Sequence, residues 1–585
     1  MHFLLSLTDQ QKWVAVAALI VIVIFGALLR LHNVEHRTLD HPEVYTPGID
    51  LPWDLSNPHP RFSLWQTLAG TIAGEPHPPG YYVVMLGWTQ WFGSSIFSLR
   101  FPSVLFGIGA ILLIYVLATH TEDTFTGLLA AAMLAANGLH LYWSQTARMY
   151  SMSCFLGLLS TVLLVLISKN GVRRRTYPVL YVVFTVIGLA THVYFWTVFL
   201  TQAIWVLLRN LPKHGPMPRV LRLQILTGIL ASPLVAIAAY QTGAATRPRT
   251  LHPLEGVFGF LQFGSFLEGD PLTIPRESVT TVIAVLAFLA TGFLLASSIL
   301  SKRDGEPEDD QPTEKNIKDH RAPVFLVTAI ITVLMALSIL AFAYVASTLL
   351  PTRSTSIIIA ASILPVTLLF IDFLIERYWR HLQGWGMILD KRRVLPVSLG
   401  SLNFFLAVLP VTTIAGFSLF NPIFVARGTV LFAPYLLIVL SRGLVNLIHR
   451  DQRWVSLVVI LAVIHAFSIL HYNSKPSNPD YKSLAERWVS RIENTDLIFV
   501  QGRGHPFDWR VAPIFYYLNA RRYHFVGRDF TKEILTHPGS RVWVLSFASV
   551  PTAKEVTDAL VDYRVQERVD ALNIAAKLYV AETAE

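Results

Sequence analysis

Uninterrupted apolar runs, each closed by a short polar stretch, repeat along the chain from Trp13 to Leu470. Runs of about 17 to 25 such residues cross a hydrocarbon layer of roughly 30 Å as helices, because lipid offers a backbone amide no partner outside its own helix. Thirteen spans are expected, near 13–30, 98–118, 125–142, 149–168, 178–193, 194–209, 220–241, 277–300, 322–349, 356–376, 396–418, 428–447 and 454–471. The fifth and sixth run together with hardly a polar break. The first, Trp13 to Leu29, lacks a small-residue cleavage site and reads as a retained helix, not a signal peptide.

Short loops set the expected direction, since Lys and Arg stay on the cytoplasmic side. Lys169 to Arg175, Arg209 to Arg222, Arg377 to Arg393 and Arg450 to Arg453 all fall on one side of this layout. The N-terminus is then cytoplasmic and the C-terminus outside, in a plasma (inner) membrane. Arg247 and Arg249 land in an outer loop, against the trend. The stretch 301–321 mixes acids, prolines and lysines and reads as a flexible cytoplasmic loop.

Two stretches are too long for plain connectors. The first outer loop, 31–97, contains Tyr81 to Phe92, which is apolar and aromatic but short, as expected of a helix lying on the membrane surface. The tail, 473–585, holds Leu497-Ile-Phe-Val and Val542-Trp-Val-Leu-Ser between polar helical stretches. The expected architecture is an all-α polytopic membrane domain over 1–472, followed by a small extracytoplasmic α/β domain over 473–585.

Composition narrows the function. Hydrophobic residues make up 53% and charged residues 15%, too apolar for a chain dissolved in water. The net charge of +9 sits in short loops between spans, which argues against a nucleic-acid partner. The single cysteine, Cys154, excludes an internal disulfide and a cysteine metal cluster. No His or Cys spacing makes a convincing metal site, so no cofactor is assigned from the sequence, and a divalent cation is left open.

The first outer loop carries Leu39-Asp-His-Pro-Glu-Val-Tyr and then Glu75-Pro-His-Pro-Pro-Gly-Tyr-Tyr. Arg100-Phe-Pro-Ser and Ser144-Gln-Thr-Ala-Arg-Met-Tyr follow. Together these resemble the GT-C superfamily of membrane glycosyltransferases, close to the protein O-mannosyltransferases and the bacterial aminoarabinose transferases. Members carry an Asp-Glu pair with a nearby Tyr after the first helix, and then a (His/Lys)-Pro-Pro-hydrophobic-Tyr element. An Arg-hydrophobic-Pro-Ser opens the second helix and a Ser-x-x-x-Arg-x-Tyr the fourth. His77 to Tyr82, Arg100 to Ser103 and Ser144 to Tyr150 match; the resemblance is strong over roughly the first 200 residues and rests on layout beyond them. One departure stands out. The adjacent acids are replaced by Asp40-His-Pro-Glu43-Val-Tyr45.

The resemblance implies a sugar moved from a polyprenyl-phosphate carrier to an acceptor hydroxyl at the outer face, with inversion. The acceptor is a protein, a lipid or a polysaccharide. A carboxylate must take the acceptor's proton, and donors must hold the departing phosphate. Glu43 is favoured over Asp40 as the base for its proline and its spacing to Tyr45. Arginine forks suit phosphate, which singles out Arg148, Arg427 and, third, Arg353. His77 offers a further donor, Glu75 a group to position substrate or a metal, and Tyr81, Tyr82, Tyr150 and Trp143 an apolar lining for the prenyl tail. Gly428 stands where relatives often pair the late Arg with Tyr.

Blander readings compete. Asp40 and Glu43 also fit solvated loop acids or helix caps, Arg148 a headgroup anchor, His192 a packed helix end, and Asp50 and Asp54 structural positions. A transporter or flippase would show paired halves and mid-membrane charges. Here mid-helix positions are almost free of charge, and Asp372 lies toward a helix end. A non-catalytic carrier-binding relative stays open because the Asp-Glu pair is missing.

Overall fold

The computed structural model describes residues 9–51, 61–170, 176–210, 219–244, 290–295, 297–298, 398–419, 423–474, 479–500, 513–518, 524–526, 530–547 and 554–581. The expected spans near 322–349 and 356–376, most of that near 277–300, the 301–321 loop, and Asp54, Arg247, Arg249, Arg353 and Asp372 lie outside these residues.

Four described helices are long and apolar enough to cross a bilayer: α1 (Asp9–Leu31), α4 (Ile96–Thr121), α7 (Tyr150–Asn170) and α11 (Leu399–Ser418). A fifth crossing forms if α5 (Thr124–Ala136) and α6 (Gly138–Ser144), bent by 61° at Asn137, count as one. Between these lie α2 (Leu64–Gly74) and α3 (Gly80–Phe92). The adjoining apolar runs at 178–209 resolve into two short helices, α8 (Thr176–Leu189) and α9 (Phe195–Asn210), with α10 (Arg219–Ala244) beyond. Two more helices, α12 (Ala433–Arg450) and α13 (Val455–Ser474), close the bundle.

The packing follows from what each face carries. Helix α4 lies against α5 and α7, and α12 against α5 and α11. Helix α12 is buried almost all round from Ala433 to Leu447, whereas α1 leaves Trp13 74% exposed and Leu28 63% exposed, an apolar face suited to lipid. Inside the bundle, polar side chains satisfy one another: Tyr181 donates to Gln202, which donates to Ser160 and Thr161, and Thr161 meets the Tyr435 hydroxyl at 2.9 Å.

Two breaks in helix hydrogen bonding are repaired by side chains. Pro102 inside α4 has no N–H for the carbonyl of Ser98, and the Trp88 indole of α3 donates to that carbonyl at 2.9 Å. At the bend after α5, the fully buried Arg30 donates to the carbonyls of Leu134 and Ala135 and to Nδ1 of His140. Asn137 meanwhile caps α6 by accepting from the His140 amide at 3.0 Å. Arg30 thereby ties the end of α1 to the turn that precedes Arg148.

Helix α3 forms where the sequence places a surface helix, and it leaves Trp91 85% exposed. Helix α2 is started by a reciprocal capping box between Ser63 and Gln66. After α14 (Tyr481–Trp488), the tail builds a five-stranded sheet of order β2-β1-β3-β5-β4. Its strands are β1 (Leu497–Val500), β2 (His524–Val526), β3 (Val542–Phe547), β4 (Tyr563–Ala571) and β5 (Ile574–Ala581). Strands β2, β1 and β3 pair in parallel, and β5 pairs antiparallel with both β3 and β4. The two β runs read from the sequence are β1 and β3, both wholly buried. A short helix, α15 (Pro513–Tyr517), packs on α14.

Candidate active site

The loop after α1 folds back over the end of α4, and one arginine holds it there. All five N–H groups of Arg100 are used: Nη1 donates to the carbonyls of Val34 (2.7 Å) and Arg37 (2.9 Å), Nη2 to Thr38 O (2.9 Å) and Glu43 Oε2 (2.7 Å), and Nε to Glu43 Oε1 (3.0 Å). Glu43 opens a single 3-10 turn, Glu43–Tyr45, behind Pro42. Its Oε1 also accepts from the Ala147 amide at 2.7 Å, and its Oε2 from the Asp40 amide at 2.9 Å. Burial alone would raise this carboxyl, but the Arg100 charge and these hydrogen bonds outweigh it and hold Glu43 below the usual range. Glu43, the acid favoured from sequence, is therefore a buried ion-pair partner with both oxygens committed.

Asp40 is the contrasting acid. It is exposed, and its carboxylate Oδ1 accepts from the His41 amide at 2.8 Å. Surrounding protein and then the charge of Glu43 push its carboxyl up, with Arg427 and Arg37 acting the other way. A carboxylate in such surroundings accepts a proton more readily than an ordinary aspartate.

The other sequence candidates converge nearby. Glu75 bridges two arginines: Oε1 pairs with Arg61 Nη2 at 3.2 Å and Oε2 with Arg148 Nη2 at 3.7 Å. Arg61 also donates to the Tyr45 carbonyl at 2.6 Å, and Arg148 to that of Pro42 at 3.0 Å. Both guanidinium groups lie over the ring of Tyr82, at 5.0 Å and 5.8 Å. Arg148 thus points into the protein and is buried, unlike a side chain reaching for headgroups. Tyr81 and Tyr82 are fully buried within this network, and Trp143 packs on Tyr150 at 4.3 Å. His77 stacks on His192 at 4.9 Å and meets the edge of Tyr150 at 6.4 Å. Burial, then His192, Arg148 and Arg427, hold His77 well below the usual imidazole range, so it is neutral.

Arg427 comes from a 3-10 segment, Ala426–Leu431, whose approach is fixed by Tyr194. The Tyr194 hydroxyl donates to the Ile423 carbonyl and accepts from the Val425 amide at 2.8 Å. A Cβ on Gly428 would fall 2.1 Å from the Tyr194 ring. The glycine that replaces the relatives' tyrosine is therefore demanded by this contact. Gly428→Ala is expected to push Arg427 off its place at a stability cost of about 1–3 kcal/mol, measured as a fall in melting temperature. An alanine variant that melts like the parent would show the contact to be slack.

Residues 76–236 match the model of the dolichyl-phosphate-mannose-protein mannosyltransferase family. That match supports, over the stretch it covers, the GT-C resemblance read from the sequence. The GT-C match contains His77, Tyr81, Tyr82, Arg100, Arg148, Tyr150 and His192, while Asp40, Glu43, Arg61, Glu75 and Arg427 lie outside its bounds. Among solved structures the chain is similar to the archaeal oligosaccharyltransferase AglB from Archaeoglobus fulgidus, in complex with an inhibitory peptide and a dolichol-phosphate. That pair is 13% identical over 98% of this chain and 75% of the other, with a TM-score of 0.42. It is similar also to ArnT from Cupriavidus metallidurans, in the apo state (12% identical, 98% of each chain, TM-score 0.44) and bound to undecaprenyl phosphate (13%, 98% of each, TM-score 0.40). Likeness at that level assigns no residue a role. No curated protein matches the chain.

Arg61 and Arg37 of this cluster were not singled out by sequence reasoning, and His192 was singled out only for packing. Arg61 belongs to no motif of its own. Arg37, near Asp40, lies 4.8 Å from the rings of both Tyr142 and Tyr472. His192, read from sequence as a packed helix end, accepts the Tyr194 amide on Nδ1 at 3.0 Å. A neutral His192 therefore carries its proton on Nε2, on the ring that stacks with His77. Among the described residues no group of three or more His, Cys, Asp or Glu side chains is placed to hold a metal ion.

Proposed function

We propose that the chain is a glycosyltransferase that moves a sugar from a polyprenyl-phosphate carrier to an acceptor hydroxyl at the outer face of a plasma membrane, by a single inverting displacement. The observation that carries this reading is an exposed Asp40 carboxylate on a loop that Glu43 and Arg100 fix from one side and Arg148 from the other, through the Pro42 carbonyl. Asp40 takes the acceptor's proton as the new bond forms. Arg427 and Arg148 hold the phosphate left behind, with His77 and His192 as neutral donors. Glu43 holds the loop in place, and Glu75 orients Arg148 from one side while keeping one negative charge beside it. The family match over residues 76–236 supports the donor class, and the apolar runs support a membrane location. Near the bilayer surface, a prenyl tail stays in lipid while its phosphate reaches these arginines.

The test is binding of undecaprenyl phosphate to the purified full chain in nanodiscs, followed by turnover of a panel of undecaprenyl-phospho-hexoses and pentoses. Arg427→Gln is expected to weaken binding by about 10- to 100-fold, the range of one charge-assisted contact of 1.5–3 kcal/mol. Undiminished binding in that variant would remove the phosphate grip from the reading. A chain that binds the carrier yet releases it from no sugar-phosphate would leave a carrier-binding protein in place of an enzyme.

A further inference from the structure

We propose that Tyr517, from the C-terminal region, is a positioning residue for Asp40, so that the tail clamps the loop on which the acid sits. The idea rests on Asp40 being the base, as argued above. Three backbone groups beside Asp40 are each held by a different part of the protein. Thr38 O accepts from Arg100 of α4 at 2.9 Å, and the Asp40 amide donates to Glu43 at 2.9 Å. The amide between them, that of Leu39, donates to the Tyr517 hydroxyl at 2.8 Å, across 478 positions of sequence. The Thr38 hydroxyl adds a second link to the tail, donating to Pro479 O at 3.3 Å.

The clamp has a rigid base. Helix α15 buries Ile514 and Phe515, and Leu518 follows them into the core, leaving Tyr516 and Tyr517 half-buried with perpendicular rings 5.3 Å apart. Tyr516 donates instead to Ser94 O at 2.9 Å, in the turn between α3 and α4, away from the acid loop. Burial pushes the Tyr517 phenol up, so it stays neutral and presents an oxygen that accepts the Leu39 amide across the working pH range. Leu39 itself is fully buried while its neighbour Asp40 is exposed, so the Leu39 peptide is the pivot that decides where the carboxylate points. Without the phenol oxygen the buried N–H has lost its partner, and the pivot is free to turn.

Tyr517→Phe and Tyr516→Phe, made in the full chain in nanodiscs, separate positioning from plain structure. Tyr517→Phe is expected to speed hydrogen exchange of the peptide spanning Leu39 by about tenfold. It is expected also to lower kcat for transfer by about tenfold while the donor KM changes less than about twofold. The acidic limb of its pH profile should move down toward an ordinary aspartate, as the loop leaves its buried setting. Tyr516→Phe should change none of these by more than about twofold. Unchanged exchange at Leu39 in Tyr517→Phe would overturn the clamp, as would a drop in kcat matched by a drop in melting temperature with no movement of the acidic limb. If the parent chain transfers no sugar, the reading of the site fails, and the exchange measurement still decides whether Tyr517 holds the loop.

Discussion

Arg100→Met is expected to be the most destabilising single substitution in the site, costing about 3–5 kcal/mol, the range for stripping one partner from a buried ion pair. Methionine fills a similar volume but offers none of the five donors, so Glu43 keeps a charge with no cation and three loop carbonyls lose their partner. The double variant Arg100→Met, Glu43→Leu should recover part of the loss, because it removes the stranded carboxylate as well. Thermal or denaturant unfolding of the detergent-solubilised chain reads both. If the single variant unfolded like the parent, the loop would be held by something other than this pair. The pair also fixes the sign of the acid response. Glu43 titrates below its unfolded value of about 4.3, so its contribution is fully present above that value and is lost as pH falls through the lower folded value.

That pairing marks the limit of what the sequence could yield. Arg100-Phe-Pro-Ser was legible as a motif opening a helix, because an N-terminal turn and an apolar run are local properties. Its job was not, because Glu43 lies 57 positions away and nothing in the spacing says which of two loop acids it meets. The preference for Glu43 as base rested on its proline and its tyrosine. In the fold those features form the tight turn that delivers the carboxylate to Arg100, leaving Asp40 as the open acid. The departure at Gly428 has a similar origin: the tyrosine expected beside Arg427 is displaced by the ring of Tyr194, from an element more than 200 residues earlier. Arg148 was legible as a cation near a helix end, but its inward turn depends on Pro42 and Glu75.

Hydrophobic patterning fared better for elements than for crossings. It placed α1, α4, α7 and α11 closely, since each is a single long apolar run. The run 125–142 reads as one span yet breaks at Asn137, where the side chain caps a new helix and Arg30 takes the freed carbonyls. A polar residue of that kind inside an apolar run is the visible signal, and it can be recognised only once a partner for the carbonyls is known. In the tail, β1 and β3 were legible because both faces are buried and the runs are wholly apolar, whereas β4, exposed along most of its length, carries no such stretch.

The two acids can be separated by a single comparison. Asp40→Asn is expected to lower kcat for transfer by about 10²- to 10⁴-fold, the usual contribution of a positioned base, with undecaprenyl phosphate binding nearly intact. Its melting temperature should hold or rise, because a carboxyl whose folded value is raised opposes folding once ionised. That penalty is absent below the unfolded value of about 3.9 and grows as pH rises through the folded one. Glu43→Gln should behave in the opposite way. Its amide nitrogen would face donors from Arg100, Ala147 or Asp40 whichever way it turned, so stability and activity fall together. In the parent chain the rate should drop as pH falls through the Asp40 value, which lies above that of an ordinary aspartate. Arg427→Gln should move that limb upward, because Arg427 is a cation that favours the ionised form. A parent profile with no acidic limb above the ordinary aspartate range, or an Asp40→Asn chain that turns over normally, would take the proton transfer away from Asp40.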